Sequence, residues 1–185
     1  EVFLALDREP QVRAVLLTGT GRAFSSGGDV EEIIGALFAR DYQGLLDFTR
    51  VTGALVLAIL RCRRPVVAGL NGLVAGAGAV IASACDLRIA SEKAKIAFLF
   101  TKVGLSGGDM GAAYLLPRVV GAGRATQLLM LGDTIDAETA DRYGLVSDLV
   151  DDDALDDAVA RLAARLATGP ALAYAQTKAL ITREL

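Results

Sequence analysis

The chain has 185 residues, a net charge of −3 and 53% hydrophobic residues, and it contains no histidine. This length suits one domain with a substantial core, and the lack of a basic tract argues against nucleic acid as the main partner. Without histidine, Ser-His-Asp and Cys-His catalysis are excluded, and a zinc or iron site is disfavoured.

The two cysteines, Cys62 and Cys85, are too few for a disulfide framework, and no secretory signal precedes them. We therefore expect a cytoplasmic protein. The longest candidate apolar run, Val51 to Leu60, predicts part of a buried helix rather than a membrane span. The large apolar fraction predicts subunit interfaces.

The first part of the chain alternates helical and extended patterns. The predicted elements are, in order, a helix over 1–8, a strand over 12–18, a small-residue turn over 23–30, a short helix capped by Asp29 and broken at Gly35, an amphipathic helix ending at Arg61, and a strand over 65–70.

The same alternation continues to the end of the chain. The predicted elements are a small-residue turn leading into a helix over 77–84, strands over 87–90 and 95–99, a glycine turn over 104–111, a helix over 111–116 ended or restarted by Pro117, a helix over 121–131, a short helix capped by Asp136, a strand over 145–150, and helices over 152–167 and 170–184. This order predicts an α/β protein.

The segment from Asn71 to Ala90 is the most informative one, because glycine and alanine at its start leave room for a close approach to bare backbone. A helix that begins near Ala77 directs free N–H groups outward. The turn over 23–30 can supply a second N–H. Two backbone donors aimed at one oxygen form an oxyanion hole.

These segments together resemble the crotonase (enoyl-CoA hydratase/isomerase) superfamily. The motifs that carry the resemblance are Val12-Arg-Ala-Val-Leu-Leu-Thr-Gly19, Arg22-Ala-Phe-Ser-Ser-Gly-Gly-Asp-Val30, Arg64-Pro-Val-Val-Ala-Gly-Leu-Asn-Gly72, Gly76-Ala-Gly78, Cys85-Asp-Leu-Arg-Ile-Ala90, Pro117-Arg-Val-Val-Gly121, Gly132-Asp-Thr-Ile-Asp-Ala137 and Tyr143-Gly-Leu-Val146. Each is weak alone, but the ordered set is specific.

The resemblance implies a spiral of ββα turns that forms trimers or dimers of trimers and binds acyl-CoA, with the thioester as substrate and no cofactor. We expect one domain over 1–185, with a spiral core over 1–150 and a helical part over 151–185, apparently truncated at both ends relative to the family. By motif position, Gly28 and Ala77 supply the oxyanion N–H groups. The expected substrate-binding residues are Ser26, Gly28, Asp29, Val30, Ala77 and Phe100.

The chain departs from the hydratases of this superfamily at both of their catalytic glutamates. The corresponding positions here are Val80 and Phe100, and Glu92 lies in a polar turn that we expect to be exposed. Asp109 is the acid left in this neighbourhood. The resemblance gives an aspartate there a role in proton transfer or as a nucleophile, whereas its place before a helix is also typical of an N-cap.

We therefore expect an acyl-CoA enzyme of the hydratase type, a lyase in the broad sense, with Asp109 as the candidate acid or base. Two alternatives stay open: an isomerase or aryl-CoA hydrolytic enzyme that uses Asp109, and a catalytically weak acyl-CoA-binding protein. Neither a metal nor a membrane is expected to take part.

Other residues can have either a structural role or a functional one. The aromatic and sulfur-containing residues either pack in the core or line an acyl pocket: Phe38, Phe48, Phe98, Phe100 and Met110. Arg61, Arg63 and Arg64 form a basic cluster that is either solvated, which we favour, or a contact for CoA phosphates. Thr101, Lys102 and Tyr114 are weaker candidates for the acyl end.

Overall fold

The computed structural model describes residues 1–183, apart from the side chains of Val30, Ile34 and Phe38. Its first elements are α1 (Val2–Arg8), β1 (Val15–Thr18), β2 (Ala23–Ser25), a π-helical turn (Val30–Ile34), α2 (Gly35–Phe38), α3 (Tyr42–Arg61), β3 (Val66–Leu70) and β4 (Leu73–Ala75).

The remaining elements continue the alternation of strands and helices. They are α4 (Ala77–Ala84), β5 (Leu87–Ser91), β6 (Lys95–Ala97), a 3₁₀ helix (Leu99–Val103), a 3₁₀ turn (Asp109–Gly111), α5 (Ala112–Val120), α6 (Ala122–Leu131), β7 (Ile135–Asp136), α7 (Ala137–Arg142), β8 (Asp148–Val150), α8 (Leu155–Thr168) and α9 (Ala171–Ile181).

Alternate strands form two four-stranded sheets. The first sheet has the order β1-β3-β5-β8, with every pair parallel. The second has the order β2-β4-β6-β7, parallel except for the antiparallel pair of β6 with β7. From β1 to β6, successive strands therefore enter different sheets, and β7 then pairs with β6 in the second sheet. This arrangement is the spiral of ββα turns that the resemblance implies.

The sequence analysis missed three short strands of the second sheet. β2, β4 and β7 have only two or three residues, and the first two lie in segments interpreted as small-residue turns. Such short segments carry too little alternation to predict a strand. They form because each pairs with a neighbour along the sheet.

Several predicted boundaries were wrong for local reasons. Gly35 begins α2 instead of breaking the helix. Pro117 lies inside α5, which continues to Val120 because its buried face packs on the core. Pro170 is the N-cap of α9, and the helix ends at Ile181. The predicted end at Glu184 lies outside the described residues.

The core lies between the sheets and the helices, and every residue of β3 is buried. The side chains of α8 cover the first sheet, where Val159 packs with Val67 and Ile89. The larger apolar cluster lies between both sheets and helices α3 to α7, and it includes Val66, Ala68 and Leu70 of β3. The chain turns from strand to helix at the carboxyl ends of the strands.

Helix α3 is exposed along much of its length. Val56, Ile59 and Leu60 are buried, whereas Tyr42 and Val51 are exposed. By length and composition α3 could cross a membrane, although core helices of soluble proteins meet the same criterion. The expectation that no membrane takes part stays a prediction.

Candidate active site

The pairing of β2 with β4 brings two small-residue turns together. The strands run parallel, with Ala23 opposite Leu73, so the turns that follow β2 and β4 lie at the same end of the sheet. A Cβ placed on Gly27 would lie 3.5 Å from the Ala77 nitrogen. The turn over 26–29 is therefore in direct contact with the start of α4.

Five backbone N–H groups at this contact have no acceptor in the described part of the chain, those of Ser26, Gly28, Asp29, Ala77 and Gly78. Gly28 and Ala77 are the two among them that the resemblance indicates as oxyanion donors. Ala77 is the first residue of α4, where the N–H has no partner within the helix. Its neighbour Gly76 instead donates to the Ala97 carbonyl at 2.9 Å. Both oxyanion donors can therefore bind a ligand oxygen.

Gly28 and Ala77 both border a cavity of about 330 Å³, which we call the first cavity. Its volume is at the lower end of the range for small-molecule sites. Most of the lining is apolar, and α3, α4 and the 3₁₀ helix supply half of the lining residues. The lining includes Ser26, Gly28, Asp29, Phe48, Ala77, Phe100, Lys102, Asp109 and Met110.

Asp109 lies on the 3₁₀ turn before α5 and borders the same cavity as the two N–H groups. Its Oδ1 accepts a hydrogen bond from the Met110 N–H at 2.8 Å. Gly111 is the N-cap of α5, so Asp109 does not cap that helix. The alternative that Asp109 serves only as this N-cap is therefore wrong.

The backbone after Asp109 is strained. Met110 has φ of 54°, the only positive φ of a residue other than glycine in residues 1–183. Side chains other than glycine rarely adopt this conformation, and such strain clusters at functional sites. Met110 is nevertheless buried and borders the cavity.

Neither residue at the expected glutamate positions is acidic, and only one of them borders the cavity. Val80 is completely buried within α4, away from the lining. Phe100 is 7% exposed and borders the cavity. Glu92 is exposed in the turn between β5 and β6, as expected. The cavity therefore has an apolar wall where a carboxylate was expected.

The first cavity contains one other acid, Asp29. Its Oδ1 accepts the Glu32 N–H at 2.8 Å and caps the π-helical turn, as the sequence predicts. Ser26 also borders the cavity. The side chain of Val30 lies outside the described residues. Of the two carboxylates that border the first cavity, Asp109 is thus the one that does not cap a helix.

Three of the candidate aromatic and sulfur-containing residues border the first cavity, namely Phe48, Phe100 and Met110. Phe98 is buried in the core, and the side chain of Phe38 lies outside the described residues. The sequence could not separate these roles, because core packing and pocket lining require the same apolar side chains.

The three weaker candidates for the acyl end, Thr101, Lys102 and Tyr114, differ in whether they border the first cavity. Lys102 borders the first cavity and lies 3.7 Å from the Asp133 carboxylate. Thr101 and Tyr114 do not border it. Further apolar lining residues carry no distinctive signal in the sequence. They include Leu55 of α3, Leu99 and Val103 of the 3₁₀ helix, and Leu105, which follows that helix.

The arginine cluster is divided between solvent and the N-terminal segment. Arg61 is exposed, and Arg63 Nε lies 3.1 Å from the Asp7 carboxylate. Arg64 donates to the Glu9 carbonyl at 3.1 Å. None of the three borders the first cavity. The cluster therefore holds α1 to the end of α3.

Arg88 stabilises the opposite end of α4. Its buried guanidinium donates to the carbonyls of Ala82, Ser83 and Cys85 at the end of the helix. Burial lowers the pKa of Arg88, while the neighbouring Cys85 and Asp86 raise it. A cation here complements the helix dipole and occupies the unpaired carbonyls. One end of α4 is thus anchored while the other presents the Ala77 N–H.

A family model for enoyl-CoA hydratase/isomerase matches residues 1–185. The chain belongs to this family. It is 36% identical over 184 residues to trans-2-decenoyl-[acyl-carrier-protein] isomerase of Streptococcus mutans, covering 98% of this chain and 70% of that protein. It is 37% identical over 172 residues to 1,2-epoxyphenylacetyl-CoA isomerase of Escherichia coli, covering 92% and 64%.

Solved crotonase structures agree with the fold. A protein of Streptomyces coelicolor A3(2) with the provisional name enoyl-CoA hydratase superposes with a TM-score of 0.95 at 59% identity, over 99% of this chain and 66% of that one. Enoyl-CoA hydratase of Bacillus anthracis superposes with a TM-score of 0.89 at 29% identity, over 98% and 69%. The chain spans 58–70% of the length of the first curated relatives that it matches.

Proposed function

We propose that this family member acts on an acyl-CoA thioester whose carbonyl oxygen binds to the N–H groups of Gly28 and Ala77. The observation that carries the proposal is that these donors have no acceptor among the described residues and share one cavity with Asp109. Two donors aimed at one oxygen stabilise the negative charge that develops on it. One such donor is worth roughly 3–4 kcal/mol in a transition state.

A single carboxylate favours proton transfer within the acyl group. Asp109 removes a proton from the α-carbon next to the polarised carbonyl, and the electron pair moves onto the oxygen as an enolate. Asp109 then returns the proton to another carbon, so the double bond moves and no water is consumed. The reaction proposed first is therefore isomerisation of an enoyl thioester.

Hydration is the second candidate, since the relatives' names include both hydratases and isomerases. It needs a group that positions water, and Val80 and Phe100 are apolar where the hydratases of this superfamily have glutamates. Asp109 would have to serve alone. A hydrolytic reaction at an aryl thioester and binding without turnover remain as outcomes of the experiment.

Replacement of Asp109 by asparagine tests its role. We expect Asp109→Asn to lower turnover of a 3-enoyl-CoA by about 10²–10⁴-fold while binding changes little, because a positioned general base contributes this much. Asp157→Asn, an exposed aspartate in the first turn of α8, is the matched control. Initial rates on 3-enoyl-CoA and crotonyl-CoA, with binding of a saturated acyl-CoA, are the measurements.

Each result has one interpretation. Unchanged isomerisation by Asp109→Asn would exclude Asp109 as the base. Strong hydration of crotonyl-CoA by the wild-type protein would favour hydration over isomerisation. Tight binding without turnover of either substrate would favour the binding protein.

A trimer or dimer of trimers is proposed for the assembly. Large apolar side chains are exposed on several helices, including Val51, Met130, Leu172 and Ile181. Subunit contacts would cover such side chains, and sedimentation of the purified protein measures the assembly mass. The cytoplasmic location and the absence of a cofactor stay predictions.

A further inference from the structure

A second cavity of about 380 Å³ adjoins the first. Asp109 and Met110 line both of them, so the turn that carries the candidate acid separates two spaces. The second cavity lies between α3 and the start of α5. Most of its lining is apolar, including Val56, Leu57 and Leu115.

Helix α3 borders both cavities with neighbouring stripes of residues. Phe48, Thr52 and Leu55 border the first cavity. Thr49, Gly53, Val56, Leu57 and Leu60 border the second. Each set follows the spacing of one helix face, and the two faces are adjacent. A chain that leaves the first cavity across Met110 thus enters the second while it stays in contact with α3.

Met110 forms the partition between the cavities. Its side chain is 8% exposed and borders both spaces. Methionine is unbranched and has three rotatable bonds, so it adapts its shape more readily than a branched residue. Met110 is therefore the apolar residue at the boundary of the two cavities that is best suited to contact an acyl chain.

Gly53 borders the second cavity without a side chain. A Cβ at this position would have no heavy atom within 4 Å, so no packing contact requires glycine here. Glycine inside a helix is destabilising relative to alanine. Local packing therefore does not explain this glycine, whereas a large side chain in its place would occupy space beside the other residues of the cavity lining.

We propose that the second cavity holds the distal part of the acyl group, and that Gly53 sets the longest chain the protein accepts. The proposal rests on the proposed function, since the thioester end is held at Gly28 and Ala77. It names the substrate class as a thioester whose acyl chain extends beyond the first cavity. A butanoyl group stays in the first cavity, whereas a dodecanoyl group crosses Met110.

Binding of saturated acyl-CoAs tests this directly. Butanoyl-CoA and dodecanoyl-CoA are titrated by calorimetry into the wild-type protein, Gly53→Leu and Gly123→Leu. Gly123 is the matched control because it also lies in a helix, α6, with open space around an added Cβ, and it borders neither cavity. Thermal unfolding followed by circular dichroism checks that each variant folds.

We expect Gly53→Leu to weaken dodecanoyl-CoA binding by tenfold or more and to change butanoyl-CoA binding by less than about twofold. Each methylene taken out of water strengthens binding by about fourfold, so excluding several of them is readily measured. Thr49→Leu, one turn earlier on the same face, should act in the same direction and serves if Gly53→Leu does not fold. Gly123→Leu should leave both affinities unchanged.

Two results would overturn the proposal in different ways. Equal weakening of both ligands, or of neither, would exclude the second cavity as the site of the chain while leaving the proposed function intact. Binding of neither ligand to the wild-type protein would overturn the proposed function and the chain-length inference together.

Discussion

Small residues where the two turns pack together determine whether the N–H groups of Gly28 and Ala77 can bind the same ligand oxygen. Gly78 follows the candidate donor Ala77 and packs on the end of β2. A Cβ at Gly78 would lie 2.6 Å from the Ser25 Cβ and 2.8 Å from the Ser25 carbonyl oxygen. Real Cβ atoms do not approach so closely, so any side chain at residue 78 would push the two turns apart.

Gly78→Ala should therefore lower both stability and turnover. We expect a loss of about 1–3 kcal/mol in the free energy of unfolding, because an extra methyl group in a packed site forces the backbone to move. Turnover of an enoyl thioester should fall further than stability explains. Urea unfolding and initial rates measure the two effects.

Gly123→Ala provides the control for Gly78→Ala. Its Cβ would meet open space in α6, so helix propensity alone predicts stabilisation by up to about 1 kcal/mol. If Gly78→Ala were as stable and active as Gly123→Ala, the close approach to Ser25 would not constrain the site.

At the scale of elements, α9 is attached to the sheet by an ion pair. Lys178 Nζ lies 2.7 Å from Asp86 Oδ2, with side-chain exposures of 7% and 27%. The same carboxylate oxygen accepts the Val66 N–H at 2.7 Å. One aspartate thus links the beginning of β3, the turn before β5 and the last described helix.

Lys178→Met should destabilise the protein by about 1–3 kcal/mol. This is less than the cost of breaking a fully buried pair, because Asp86 is partly exposed and keeps the Val66 N–H as a partner. Thermal or urea unfolding measures the loss. The double variant Asp86→Asn/Lys178→Met should lose less than the sum of the single losses.

Lys93→Met is the matched control on the surface. Lys93 and Asp152 lie 3.7 Å apart with exposures of 53% and 47%. Exposed pairs of this kind contribute about 0–1 kcal/mol. Equal losses from Lys178→Met and Lys93→Met would mean that burial adds nothing to the attachment of α9.

The sequence predicted the long helices better than the short strands. The end of α3 at Arg61 and the bounds of α4 follow from helical spacing and flanking breakers, and both match the structure. β2 and β4 were missed because their two or three alternating positions resemble a turn. Their conformation depends on pairing with each other, which is a tertiary contact.

At the scale of the whole molecule, the tightly packed core changes the ionisation of the cysteines. Burial raises the pKa of Cys85 from 9.0 to about 12, and it raises the pKa of Cys62 as well. The Cys85 thiol also donates to the Ile81 carbonyl at 3.3 Å. Both effects favour the protonated form in the folded state.

Stability should consequently fall at alkaline pH through Cys85. Above about pH 9 the unfolded chain loses the thiol proton while the folded chain keeps it, so the contribution present below pH 9 is lost as pH rises towards 12. The slope reaches at most about 1.4 kcal/mol per pH unit. Unfolding of the wild-type protein and Cys85→Ala from pH 8 to about 10.5 measures it.

Comparison with Cys85→Ala isolates this group from the lysines and tyrosines that titrate in the same range. The difference in unfolding free energy between the two proteins should shrink or reverse as pH rises. A difference that stays constant across the range would show that Cys85 ionises equally in both states.

The candidate site was predictable in part. The resemblance indicated Gly28 and Ala77 by motif position, and the structure places both beside one cavity with Asp109 and Phe100. Asp109 could not be distinguished from a helix cap by sequence, because both roles place an aspartate before a helix. The structure excludes capping of α5, whose N-cap is Gly111.

Sequence reasoning alone was enough to predict the long helices, the strands of the first sheet, the small residues that permit close backbone approach and the absence of acids at positions 80 and 100. These are local properties of the chain, set by spacing and residue size. The tertiary structure decided which turns meet, which apolar residues line a cavity instead of filling the core, and that a second cavity lies beyond Met110. Those depend on sheet pairing and helix packing between residues far apart in sequence.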